Sequence, residues 1–148
     1  MKRNTLWKAL FALYCAVMLW LLFDREVAYI PGQYWQQVLE QLNPVPFETI
    51  LLYIRALDSD RYRATAIINL FGNVGMFLPL GFFLPLLWQR LRKWWKSWLA
   101  ALGIMLLVEL AQLFTLRGYF DVDDLILNVL GAAIGYGIYR IYEKMTVK

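Results

Sequence analysis

Four stretches of this chain are apolar on nearly every face, and the stretch between the first two is not. Residues 6–23, 67–88, 98–116 and 122–142 are each close to the ~20 residues that cross a bilayer at ~1.5 Å per residue. They predict four transmembrane helices. Lys2 and Arg3 ahead of the first run resemble the start of a secretory leader. The run is 18 residues, however, beyond the roughly 7–15 of a leader core, and no small-x-small cleavage site follows it. It reads as a retained span. Residues 24–66 hold two shorter apolar-periodic pieces, 34–42 and 47–57, hinged at Asn43-Pro44-Val45-Pro46. Neither is long enough to cross. Their aromatics beside charged residues predict helices in the interface plane or a re-entrant cap over the bundle, with an ordinary folded loop as the alternative. The expected fold class is an all-α integral membrane protein: one domain over 1–148, built as a four-helix transmembrane bundle. In the second span, Gly75, Pro79, Gly81 and Pro85 predict a kinked helix, with helix packing the favoured role of these residues.

Charge gives the bundle a direction. Of fifteen basic residues, ten (Lys2, Arg3, Lys8, Arg90, Arg92, Lys93, Lys96, Arg140, Lys144, Lys148) precede the first span, link the second to the third, or close the fourth, with Glu143 the one acid there. The opposite side, 24–66 with 117–121, holds five basic and seven acidic residues. Positive-inside bias then places both termini in the cytoplasm and 24–66 outside. The net charge of +4 reflects this topology, and no nucleic-acid partner is implied.

Polar residues inside the spans fall in one layer. Asn69 and Asn73 share a face of the second span, Glu109 and Gln112 a face of the third, Asp124 and Asn128 a face of the fourth. Arg117 and Asp121 occupy the link between the last two. Glu109 lies seven residues before the end of its span, ~10 Å below the outer boundary. All sit in the half expected to face outward, and the inner half is almost purely apolar. Polar groups in lipid are costly unless they face a bundle interior or a wet cavity, so one shared pocket is the economical explanation. Simpler roles compete with it. Asp121 is a natural helix N-cap with Asp124 three residues on, and Asp123 and Asp124 both suit a helix N-terminus. The asparagines also serve as interhelical hydrogen-bond partners. Glu109 fits such roles least, and Arg117 is the nearby cation that would pair with it.

Composition narrows the chemistry. With no histidine and a single cysteine, Cys15, the chain offers no imidazole base, no multi-thiolate zinc site and no internal disulfide. Any metal would be Mg²⁺ or Ca²⁺ on oxygen ligands, with Asp121 and Asp124 as weak candidates.

The strings "NPVPFETI" (43–50), "NLFGNVGMFLPLGFFLP" (69–85) and "VELAQLFTLRGYFDVDDLILNVLGAAIGY" (108–136) occur in that order. In combination they resemble the VanZ-like family of small membrane proteins, whose namesake is a teicoplanin-resistance protein. The resemblance implies a multi-span helical protein linked to lowered susceptibility to lipid-bearing glycopeptides. It nominates Asn69, Asn73, Glu109, Gln112, Arg117, Asp121, Asp123, Asp124 and Asn128 as ligand-binding candidates.

Three functions follow. In the first, the pocket binds the headgroup of an amphiphile: a lipopeptide or glycopeptide antibiotic, a glycolipid, or a lipid-linked cell-wall precursor. Amides would meet sugar or peptide groups, Arg117 an anionic group, and aromatics the acyl chains. In the second, the protein is a carboxylate- or divalent-metal-dependent enzyme on a lipid headgroup, with Glu109 as candidate catalytic acid or base. The third, a transporter, is disfavoured by the apolar inner half.

Overall fold

The computed structural model describes residues 2–24, 27 and 29–146. Four helices are long and apolar enough to cross a membrane: α1 (Lys2–Phe23), α4 (Arg63–Leu87), α5 (Trp94–Phe114) and α6 (Val122–Thr146). Two short helices, α2 (Tyr34–Glu40) and α3 (Glu48–Ala56), lie within the two apolar-periodic pieces of the long connection. One feature is not helical. Leu42–Asn43 (β1) pairs in parallel with Phe120–Asp121 (β2), Leu42 opposite Phe120 and Asn43 opposite Asp121.

The long helices differ from the predicted spans by a few residues at their ends, because helices are bounded by caps and not by the edge of the lipid. α4 starts at Arg63, whose N–H donates to Ser59 O and whose Nε donates to Leu57 O. It runs without a break through Pro79 and Pro85. α5 stops at Phe114 because Leu116 turns left-handed, with φ 55°. Arg117 N then donates to Gln112 O, and Leu116 N to Leu113 O. This is the Schellman closure, made here with leucine where glycine is usual.

α4 and α6 form the centre of the bundle, backbone against backbone. A Cβ on Gly131 would lie 2.1 Å from Val74 O, one on Gly135 1.9 Å from Leu78 O, and one on Gly81 1.9 Å from Ala132 O. Lipid gives no hydrophobic drive between helices, so close van der Waals contact through small residues must hold them together. The spacing G-x-x-x-G at 131–135 supplies it. α1 is attached differently. Trp7 packs edge-on to Phe82, Phe83 and Tyr142, Phe11 packs on Phe83 and Trp88, and Tyr14 donates to Met76 O at 2.9 Å. The buried core takes Met18 and Leu22 from α1, Phe77, Leu80 and Leu84 from α4, Ala101 and Met105 from α5, and Ala132 from α6.

α3 is held over one end of the bundle by Asp123. This side chain is fully buried, and its two oxygens accept the N–H groups of Phe47 and Ile50 (Ile50 at 2.9 Å). They are first-turn donors of α3, and no side chain of the long connection itself caps them. Phe47 is left-handed, φ 68°, a conformation unfavourable for a bulky residue. The carboxylate of another helix fixes it there.

Two stability tests follow. Leu at Gly131 or Gly135 forces α4 and α6 apart, and thermal unfolding of the purified chain in detergent should show a loss of about 3 kcal/mol or more. Ser at Gly137, where an added Cβ meets nothing within 4 Å, should stay within about 0.5 kcal/mol of the parent. Asp123→Ala removes two hydrogen bonds from a carboxylate, worth about 3 kcal/mol together. Its effect should be local: hydrogen exchange should rise across 47–57 and remain unchanged across α4.

Candidate functional site

At the end of the bundle beneath α3, the helices do not close on one another. A cavity of about 400 Å³ is bounded by Leu22 of α1, by Asn69, Asn73, Met76 and Phe77 of α4, and by Glu109 and Gln112 of α5. Asp124 and Asn128 of α6, Asp121 just before it, Asn43, Thr49, Leu52 and Tyr53 of the long connection, and Tyr119 complete the wall. The cavity thus meets the C-terminal ends of α1 and α5 and the N-terminal halves of α4 and α6. Adjacent long helices are therefore antiparallel, and the start of α1 and the end of α6 lie at the far end.

The three aspartates of "DVDD" do three different things. Asp121 is the N-cap of α6: its Oδ1 accepts the N–H of Asp123 at 2.8 Å. Its Oδ2 accepts from Thr49 Oγ1 at 2.6 Å and from Asn43 Nδ2 at 3.3 Å, fastening the long connection to the bundle. Asp123 points away from the cavity and caps α3. Asp124 faces the cavity and accepts a hydrogen bond from Asn73 Nδ2 across the α4–α6 contact. The i, i+4 partners Asp124 and Asn128 both line the wall, as their shared helix face requires.

Gln112 and Arg117 serve α1. Gln112 is buried, and its Nε2 donates to Leu22 O at 2.9 Å. Arg117 Nη1 donates to Phe23 O. Together they satisfy carbonyls that the end of α1 would otherwise leave without donors in a poorly hydrated place. Arg117 is not part of the cavity wall. Asn69 lies on the wall with its amide turned back to Thr65 O at 2.8 Å.

Beside Gln112 and Asp121, two more buried polar side chains face the cavity. Glu109 is 4% exposed and Asn128 is 3% exposed. The Asn128 Oδ1 accepts no hydrogen bond among the described residues. A buried amide oxygen without a donor costs roughly 1–3 kcal/mol, so such a group ordinarily meets water or a ligand. Tyr53 supplies a hydroxyl from α3. Burial, then the Asp124 and Asp121 carboxylates, push its pKa above the ordinary phenol value, so it stays a neutral donor.

Among the described residues, the wall carries three carboxyl-bearing side chains, five amides and three hydroxyls, and no lysine or arginine. Among the described residues no three His, Cys, Asp or Glu side chains cluster as metal ligands. Asp121, one of the weak metal candidates, already accepts three protein donors through its two oxygens.

Seven of the nine sequence candidates line this one cavity. Asp123 and Arg117 do not. Asn43, Thr49, Tyr53 and Tyr119 line it without having been nominated. Asn43 and Thr49 lie inside the string "NPVPFETI" that carries part of the resemblance, so a signal for them existed. Tyr119 likewise lies inside the string 108–136, whereas nothing in the local pattern marks Tyr53.

No curated protein and no solved structure matches the chain. The family model described as VanZ/LLP1 matches residues 11–143, which takes in the second half of α1, all of α4 and α5, most of α6 and every residue of the cavity wall. The chain is a multi-pass membrane protein of the VanZ/LLP1 family.

Proposed function

We propose that the cavity opens on the outer face of a bacterial plasma membrane, with both termini cytoplasmic, and binds the polar headgroup of a membrane amphiphile. The observation that carries this reading is the cavity itself: about 400 Å³ of polar-walled space between helices that otherwise meet in apolar contact. The buried, undonated Asn128 oxygen within it supports the same reading. The orientation rests on the charge bias between the two ends.

The wall chemistry favours one kind of headgroup. Amides and hydroxyls pair with sugar or peptide groups, and the carboxylates of Asp121 and Asp124 attract hydroxyls or an ammonium. Among the described residues of the wall a phosphate would meet carboxyl groups and no cation. An anionic group held by Arg117 is less favoured, because Arg117 does not line the cavity and its Nη1 donates to the Phe23 carbonyl. A lipopeptide, a glycopeptide such as teicoplanin, a glycolipid, or the sugar-peptide part of a lipid-linked wall precursor fits these donors and acceptors. Holding such a molecule at the membrane surface would link the family to glycopeptide resistance. The enzyme reading keeps one observation in its favour: Glu109, buried on the same wall as Asp121 and Asp124, is positioned for acid–base work.

Lipid extraction and mass spectrometry of the purified chain tests the binding reading. The parent should retain an amphiphile with a sugar, peptide or amine headgroup. Asn128→Leu and Asp124→Asn should each lower its retention by roughly tenfold or more, the equivalent of one buried hydrogen-bond partner. Retention of diacyl phosphate lipids alone would sink the proposal. Glu109→Gln separates the second reading, since it preserves shape and removes acid–base capacity. If cells carrying it keep full glycopeptide tolerance, catalysis by Glu109 is excluded.

A further inference from the structure

The opposite end of the bundle carries a depression of inverse chemistry. It is shallow and open, about 390 Å³, and is lined by Arg92, Lys93, Trp94, Trp95, Tyr136 and Arg140. Arg92 and Lys93 come from the turn between α4 and α5, whereas Tyr136 and Arg140 come from α6. A hydrogen bond fastens the two elements together: Tyr136 OH donates to Arg92 O at 2.8 Å. Glu143 is the acid close by, 3.9 Å from Arg92 and 3.6 Å from Arg140, and it also accepts the Tyr139 hydroxyl at 2.6 Å. Three cations less one carboxylate leave the depression with a charge of about +2. Lys96 lies at its edge, over the Trp95 ring at 5.3 Å. Trp94 and Trp95 are 58% and 45% exposed, in the position of the aromatic belt that meets lipid headgroups.

Positive-inside bias asks only that basic residues lie on one side of the membrane. It does not ask that cations from two elements share a depression walled by tryptophan. We propose that this depression binds the phosphodiester headgroup of an anionic phospholipid, drawn from the leaflet that meets both chain termini. The planar guanidinium groups of Arg92 and Arg140 suit bidentate contact with phosphate oxygens, Lys93 adds a point charge, and the indoles pack against the glycerol and upper acyl carbons. The cavity at the other end, with carboxyl groups and no cation among the described residues of its wall, disfavours the same headgroup. The two ends therefore sort lipids by charge.

Native mass spectrometry of the purified full-length chain tests this, comparing phosphatidylglycerol with phosphatidylcholine of identical acyl chains. Phosphatidylglycerol should bind the parent at least roughly tenfold more tightly, with the preference shrinking as salt screens it. Each cation is worth about fivefold, so Arg92→Gln, Lys93→Gln and Arg140→Gln together should cost on the order of 100-fold. Lys93→Gln alone should cost about fivefold. Lys93 takes part in none of the ion pairs among the described residues, so that variant reports even if the triple one fails to fold. Arg61→Gln, removing a cation at the other end, should change nothing. Equal affinity for the two lipids, or unchanged phosphatidylglycerol affinity in Lys93→Gln, overturns the proposal. So does displacement of the lipid by an equal concentration of inorganic phosphate, which would make free phosphate the ligand.

Discussion

The contact between α4 and α6 is so close that three glycines have no room for a β-carbon, and the position of every other element follows from it. Apolar side chains alone do not choose partners in lipid, where the tails are as apolar as leucine. What chooses is how near two backbones can come. Gly81, Gly131 and Gly135 allow α4 and α6 to meet at carbonyl distance. That meeting sets Asn73 opposite Asp124 and brings the polar face of each helix to one end of the bundle. α5 and α1 pack around this pair through larger residues. The polar ends of the four helices then bound a space that their side chains do not fill.

The site end is assembled by carboxylates that cap backbone. Asp121 closes the start of α6 and ties down Thr49 and Asn43, while Asp123 caps α3 from a neighbouring helix. Buried carboxylates are costly unless their oxygens are satisfied. These two are satisfied by the long connection, so the cost of burying them and the ordering of the connection are linked. That leaves Asp124, with Glu109 and Asn128, turned toward the cavity. Sequence position alone does not separate these roles, because three aspartates within four residues all favour a helix N-terminus equally well.

The two ends of the bundle carry opposite charge for different reasons. At the termini end the basic residues gather around tryptophans, with Glu143 as their partial counterweight. At the other end acidic side chains and amides face an enclosed volume, and the nearby cation, Arg117, is committed to the C-terminus of α1.

Much of this protein was legible in its sequence. The four apolar runs, the single layer of polar residues and the i, i+4 pairs at Asn69–Asn73 and Asp124–Asn128 follow from lengths and periodicities that hold whatever the helices pack against. Seven cavity residues could be named on that basis. Tertiary structure alone decided the rest. Whether Asp123 faced a ligand or a backbone depended on where α3 came to lie, 73 or more residues away in the chain. Arg117 depended in the same way on where α1 ended, and Tyr53 and Tyr119 on how the long connection folded over the bundle. Periodicity fixes which side of a helix a residue occupies. What stands on that side is set by contacts between distant segments, and those are determined only when the backbones meet.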